Sequence, residues 1–109
     1  MKLEGEGKAI AIFLGESDQW HGQSLDVAIV EQARKEGLAG ATAFHGITGF
    51  GAHSIVHEPH LFSLSQDRPV CIYIVDEREK VDKFLIILDE MIQEGMVMTW
   101  DVRVEKYAH

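Results

Sequence analysis

Cysteine and basic side chains are scarce in this sequence of 109 residues. The single cysteine cannot close an internal disulfide, which favours a reducing compartment, and we expect a cytoplasmic protein. Only 10 lysines and arginines stand against 18 acidic residues, which gives a net charge of −8. Nucleic-acid binders derive affinity from Lys and Arg contacts to phosphates, so this composition argues against nucleic acid as a partner.

Long apolar runs and linker sequences are also lacking. The apolar run at residues 9–14 is too short to cross a membrane. Glu4 and Glu6 precede it, whereas the start of a signal peptide is basic. The chain has only two prolines and no Pro/Ser-rich tract, so we expect one domain spanning residues 1–109.

Hydrophobic periodicity predicts four strands and two helices. The predicted strands are 8–14, 41–45, 70–75 and 96–106, and the predicted helices run from Ser24 to about Glu36 and from Asp76 to about Ile92, with a loop at 15–23. Ser24 is expected to cap the first helix, and Asp76 and Glu77 are expected as acids at the start of the second. The order β-α-β-β-α-β predicts an α+β, ferredoxin-like sandwich, with an antiparallel four-stranded sheet and both helices on one face.

Two predicted strands are apolar on both faces. The first presents Ala9, Ala11 and Phe13 on one side and Ile10, Ile12 and Leu14 on the other, and residues 70–75 repeat the pattern. Two helices cover only one face, and a sheet that is apolar on both faces must be covered twice. We therefore expect oligomerisation through the second face. The alternative is that the long segment after the second strand folds back over it.

Three glycines follow the second predicted strand within six residues: Gly46, Gly49 and Gly51. Such a cluster marks a sharp turn or a close approach to the backbone. One interpretation is an ordinary flexible loop. The other is a loop base whose N–H groups bind an anionic ligand. The spacing matches neither a Walker A loop nor a dinucleotide fingerprint.

Loop histidines suggest a metal-binding alternative. His53, His57 and His60 have spacings of four and three, and His45 and Glu58 lie near enough in sequence to join them. Neutral imidazoles are good ligands for Zn²⁺ or Cu²⁺. The pattern matches no standard zinc motif, however, and solvated histidines are the simpler interpretation, so no metal or cofactor is expected.

Two other features admit a functional and a structural interpretation. Residues 20–22, Trp-His-Gly, either line a cleft or pack over the first helix. Arg103 forms either an ion pair with neighbouring acids or a phosphate contact across a subunit boundary. A small enzyme with its site in a subunit cleft is a further alternative, although Ser54 and His57 have no third orienting group.

Several segments resemble the PII-like proteins of domain-of-unknown-function family 190. They are residues 45–51 (His-Gly-Ile-Thr-Gly-Phe-Gly), 62–65 (Phe-Ser-Leu-Ser), 68–70 (Arg-Pro-Val), 75–76 (Val-Asp) and 102–107. The resemblance implies a ferredoxin-like subunit and a homotrimer packed through its sheets. It also implies a non-enzymatic regulator that binds adenine nucleotides in clefts between subunits. The long loop at residues 47–68 would then be mobile and face a partner, such as a membrane transporter.

One departure from the PII pattern bears on the ligand. PII proteins hold phosphates with a Gly-x-Gly-Lys loop before the last strand, whereas residues 93–96 are Gln-Glu-Gly-Met. We therefore expect AMP or ADP rather than ATP. The candidate ligand-binding residues are Gly46, Thr48, Gly49, Phe50, Gly51 and Arg103. The glycines allow close approach, Thr48 offers a hydroxyl, Phe50 a stacking face, and Arg103 a phosphate contact.

Overall fold

The computed structural model describes residues 4–47, 49 and 68–108. The strands are β1 (Gly5–Gly15), β2 (Gln19–Trp20), β3 (Gln23–Ser24), β4 (Ala41–His45), β5 (Pro69–Asp76) and β6 (Met96–Val104), and the helices are α1 (Leu25–Lys35) and α2 (Arg78–Met91). Within this part of the chain, neither helix is long and apolar enough to cross a membrane.

β1 is the strand on which the main sheet is built. The strand order is β4-β5-β1-β6, and all neighbours are antiparallel. β1 pairs with β5 on one side, where Ile12 lies opposite Ile72, and with β6 on the other. This order confirms the ferredoxin-like prediction. In each of the two units β1-α1-β4 and β5-α2-β6, the strands before and after the helix are separated in the sheet by one other strand.

The hydrophobic core lies between one face of the sheet and the two helices. Its largest fully buried members are Ile10, Ile12, Val70, Ile72 and Ile74 from the sheet, Ile29 from α1, and Val81, Phe84 and Leu88 from α2. Both helices place one apolar stripe on this face, as their 3.6-residue periodicity predicted. Burial of these side chains is the main driving force for the fold.

The segment between β1 and α1 is a short hairpin, so the prediction of a loop at 15–23 was wrong. Trp20 pairs with Gln23, which leaves His21 and Gly22 as a two-residue turn. Both have positive φ, 47° and 83°, as a type I′ turn requires. Ser24 occupies the N-cap position of α1, but its side chain makes no capping hydrogen bond among the described residues.

Asp76 lies directly before the N-cap residue of α2, at the helix start where the sequence predicted an acid, and its carboxylate is buried. It is the last residue of β5 and is fully buried. Its Oδ2 accepts a hydrogen bond from the Ala39 N–H at 2.8 Å, and its Oδ1 accepts one from the Glu77 N–H at 2.6 Å. Lys80 Nζ lies 3.7 Å from Oδ2 and donates to the Gly37 carbonyl at 2.6 Å. Asp76 therefore joins the α1–β4 turn to the start of α2.

The C-terminal residues return to the same turn. Tyr107 follows β6, and its hydroxyl donates to the Ala39 carbonyl at 3.2 Å. Its N–H donates to the Glu4 carboxylate at 3.3 Å. Both chain ends of the described region are thus attached at the end of the sheet that carries Asp76.

The sheet face opposite the helices is apolar across all four strands. We call this surface the open face; it comprises Ala9, Ala11 and Phe13 of β1, Phe44 of β4, Cys71, Tyr73 and Val75 of β5, and Met96, Met98 and Trp100 of β6. Phe13, Phe44, Tyr73, Met96, Met98 and Trp100 are each between 41% and 57% exposed. Electrostatic repulsion and a hydrogen bond from the neighbouring Cys71 side chain raise the pKa of Tyr73 above its ordinary value.

A depression runs along β1 on the open face. Ala9 lies between Val75 and Trp100, and Ala11 lies between Tyr73 and Met98. Both alanines are buried within the single chain because these larger neighbours flank them on each side. We call this depression the alanine furrow.

Replacing Asp76 with alanine should destabilise the fold. The substitution leaves the Ala39 and Glu77 N–H groups without their acceptor, at a cost of about 2–3 kcal/mol in the free energy of unfolding. Urea denaturation followed by circular dichroism measures this loss. The matched control is Asp82→Asn, which removes the exposed ion pair with Lys8 and should cost less than about 1 kcal/mol. Equal midpoints for the two variants would contradict a central role for Asp76.

Candidate functional site

The long loop begins and ends at one end of the sheet, where three strands, β1, β4 and β5, lie side by side. β1 ends at Gly15 opposite Pro69, the first residue of β5, and His45 at the end of β4 lies opposite Val70. The Glu16 N–H donates to the Arg68 carbonyl at 2.7 Å and continues the β1–β5 ladder beyond Gly15. Both ends of the loop are therefore fixed to the sheet, and we call this region the loop base.

Gly46 lies against Pro69 at the loop base. A Cβ added to Gly46 would stand 2.7 Å from Pro69 Cγ, so only glycine fits this approach of the two strands. The Gly46 N–H donates to the Pro69 carbonyl at 2.7 Å. Because this N–H is used within the sheet, Gly46 supplies close packing rather than a donor for a ligand. A Cβ on Gly49 would also meet Pro69, at an ordinary contact distance of 3.6 Å.

Three of the six candidate ligand residues lie outside the described residues: Thr48, Phe50 and Gly51. The loop histidines proposed as metal ligands, residues 53, 57 and 60, lie outside them too. His45 is described, and its Nδ1 stands 3.2 Å from Glu16 Oε2. Among the described residues, no group of three or more His, Cys, Asp or Glu side chains is arranged to hold a metal ion.

Arg103 lies far from the loop base within one chain. It is on β6, opposite Glu6 near the start of β1, whereas the loop base adjoins the end of β1 and the other edge strand, β4. Arg103 and Gly46 therefore occupy diagonally opposite corners of the sheet. The Arg103 Nε donates to Glu105 at 3.1 Å, and both side chains are more than 70% exposed. Arg103 could reach a loop base only in another subunit.

A shallow groove of about 290 Å³ lies beside the α2–β6 connection. Its walls are apolar side chains of α2 and β6, together with Asp89, Gln93 and the backbone of Gly95; the apolar members are Leu85, Leu88, Ile92 and Val97. No cationic side chain lines this groove among the described residues. Its chemistry therefore does not suit the phosphates of a nucleotide, in agreement with the lack of a Gly-x-Gly-Lys sequence.

The hairpin β2–β3 projects an aromatic pair next to the loop base. The rings of Trp20 and His21 are stacked, with centroids 4.1 Å apart and planes inclined by 13°. Trp20 is half-buried against the hydrophobic core, whereas His21 is exposed. The sequence left open whether these residues line a cleft or pack over α1. Trp20 does pack on the core, and His21, stacked on it, is exposed to solvent.

The fold is similar to that of solved PII-like proteins. A structure of CPII, a nitrogen regulatory PII-like protein from Thiomonas intermedia K12, bound to ADP, AMP and bicarbonate, matches this chain with a TM-score of 0.63. The match covers 96% of this chain and 92% of CPII at 22% sequence identity. At this identity the comparison establishes the fold alone.

Sequence comparison finds closer relatives. A UPF0166 protein of Aquifex aeolicus (strain VF5) is 36% identical over 97 residues, which cover 89% of this chain and 91% of that protein. A UPF0166 protein of Methanocaldococcus jannaschii is 33% identical over 102 residues, covering 93% and 94% of the two chains. The model of domain-of-unknown-function family 190, described as "Uncharacterized ACR", matches residues 7–104. With its PII-like fold, this chain therefore belongs to domain-of-unknown-function family 190.

Proposed function

We propose that this protein is a cytoplasmic, non-catalytic regulator of the PII-like type. It forms a homotrimer, binds AMP or ADP in clefts between subunits, and presents the loop at residues 47–68 to a protein partner such as a membrane transporter. The observation that carries the proposal is the PII-like fold, since the CPII structure that matches 96% of this chain is bound to ADP and AMP. CPII is also described as a nitrogen regulatory protein.

The apolar character of the open face supports the proposed assembly of subunits. Six large apolar side chains from all four strands are exposed on it in the single chain. A contiguous apolar surface of this kind marks an interface in soluble proteins. Tyr73 contacts Phe44 edge-on, with ring centroids 5.6 Å apart, so these side chains already form a packed layer that another subunit can cover.

The proposed cleft needs two subunits, because its candidate residues lie at opposite corners of the sheet within a single subunit. Gly49 and the remaining loop-base candidates come from one subunit, and Arg103 comes from the opposite corner of another. The guanidinium is more than 70% exposed, so it is accessible to a phosphate, and a charge-assisted hydrogen bond compensates for the negative charge of the protein. The short α2–β6 connection at residues 92–95 brings no lysine, which favours the mono- and diphosphate over the triphosphate.

Charge placed on the open face should break the trimer without unfolding the subunit. Tyr73→Glu introduces a carboxylate where Tyr73 is 46% exposed in the single chain, and burying that charge in an interface is unfavourable. We expect the mass of three chains for the unmodified protein and of one chain for this variant, measured by light scattering at micromolar concentration. Circular dichroism should remain that of the folded protein.

Two matched variants show whether the position of the charge matters. Ile86→Glu places the same carboxylate on the exposed surface of α2 and should leave the trimer intact. Ile72→Glu, next to Tyr73 but fully buried in the core, should prevent folding. A single-chain mass for the unmodified protein at micromolar concentration would refute the trimer.

Nucleotide binding should depend on Gly49. Calorimetry with the unmodified trimer should show heat for AMP and ADP and a weaker response for ATP. Gly49→Val adds a branched side chain at the loop base and should reduce affinity by about tenfold or more, roughly 1.4 kcal/mol. Gly40→Val is the matched control, because a Cβ on Gly40 meets no atom within 4 Å. No heat and no competition from any of the three nucleotides at millimolar concentration would disprove the proposal.

Arg103→Gln should weaken binding through the phosphates. Loss of one charge-assisted hydrogen bond costs about 2 kcal/mol, and we expect a larger loss of affinity for ADP than for adenosine, measured by calorimetry. Arg34→Gln, at an exposed position in the last turn of α1, is the matched control for the change in net charge. Equal losses for ADP and adenosine would show that Arg103 does not contact phosphate.

A further inference from the structure

We propose that the stacked pair of Trp20 and His21 is a stacking surface for the purine base of the bound nucleotide. This inference rests on the proposed function, and it assigns part of the site to the hairpin β2–β3, which none of the six candidate residues includes. Three observations support it: the conformation of the hairpin, the packing of the two rings, and the position of the hairpin beside the loop base.

The hairpin holds His21 in a backbone conformation that is uncommon for residues other than glycine. Its φ of 47° lies in the left-handed region, where glycine, asparagine and aspartate are the usual residues of a type I′ turn. Asparagine would form this turn more easily. The turn itself therefore does not require an imidazole ring at this position.

The two rings form a rigid extension of the core. Trp20 contacts the hydrophobic cluster beneath it and is half-buried, and His21 covers its outer side at a centroid distance of 4.1 Å. The inclination of only 13° between the planes leaves the outer imidazole face parallel to the indole and exposed. A flat, immobilised ring face of this kind loses little conformational entropy when a second aromatic system stacks on it.

The hairpin is attached directly to the loop base. Glu16 donates its N–H to Arg68 and pairs through its side chain with His45. Two residues later, Asp18 accepts a hydrogen bond from the Gly15 N–H at 3.0 Å, and its own carbonyl accepts one from the Leu25 N–H at 2.8 Å. These bonds fix both ends of the hairpin relative to the end of the sheet from which the long loop leaves.

The test uses ADP and AMP with the full chain and two readouts. The protein has only two tryptophans, so base stacking on the ring pair should change the emission of Trp20. We expect ADP to quench the fluorescence of the unmodified protein, and the quench to disappear in Trp20→Phe, where Trp100 is the remaining tryptophan. Calorimetry then measures the affinity of each variant independently of fluorescence.

His21→Asn is the decisive variant. It removes the ring while giving the Asn-Gly sequence that type I′ turns favour most, so the hairpin should persist. We expect its affinity for ADP and AMP to fall by about tenfold, the effect of losing one stacking contact. Gln23→Ala changes an exposed residue of the same hairpin and should bind as the unmodified protein does.

The outcomes separate this inference from the proposed function. If the unmodified protein binds ADP and His21→Asn binds it equally well, the ring pair is not a stacking surface, although the proposed function stands. If the unmodified protein gives no heat with either nucleotide, the proposed function fails and the inference fails with it. A tenfold loss in His21→Asn with unchanged binding in Gln23→Ala supports the ring pair as part of the site.

Discussion

The antiparallel pairing of β1 with both β5 and β6 determines the position of every other element. Ile10, Ile12 and Leu14 point from β1 into the core, and the two helices pack on the face they define. The same strand presents Ala9, Ala11 and Phe13 on the other side. Because a strand alternates its side chains between faces, a core strand that is apolar throughout creates two apolar surfaces at once. The helices cover one of these surfaces. The other is the centre of the open face, so the eleven residues of β1 contribute to both.

The two ends of the sheet differ in how their chain segments are held. At one end, Asp76, Lys80 and the Tyr107 hydroxyl bind the α1–β4 turn through hydrogen bonds, of which those of Asp76 and Tyr107 are half-buried. At the other, the loop base joins β4 to β5 through Gly46 and Pro69, and the hairpin joins β1 to α1. The described loop candidates Gly46 and Gly49 and the ring pair lie at this second end, whereas Arg103 lies at the first. A site at the loop base can therefore change without disturbing the contacts around Asp76.

Sequence periodicity predicted the parts of the fold that depend on burial. The strand at residues 41–45 and the apolar stripes of both helices agree with the structure, because amphipathic spacing reports directly which side chains face the core. The hairpin was missed because strands of two residues are too short for any periodicity. The position of Asp76 at the start of α2 was predicted, but its burial was not, because an exposed and a buried acid at a helix start look the same in sequence.

The candidate site could be predicted only in part, for a related reason. The glycine cluster indicated a close approach of the backbone, and Gly46 does pack closely, but nothing local identified Pro69 as its neighbour or showed that the Gly46 N–H is used in the sheet. The separation of Arg103 from the loop base depends on strand order, which is a property of the whole topology. The stacked rings of Trp20 and His21 depend on the turn type, which places both side chains on one side of the hairpin.

The alanine furrow affects the angle at which a second surface can pack on the open face, rather than the affinity of that contact. Two flat apolar surfaces can cover each other at many angles and bury similar areas, whereas a grooved surface excludes water fully only when a ridge of matching direction enters it. The methyl groups of Ala9 and Ala11 set how deeply such a ridge can enter. The line of β1 sets the crossing angle of any sheet that packs there. In the proposed trimer, the smallest side chains on this surface, which contribute little buried area, would therefore determine the orientation in which another subunit fits.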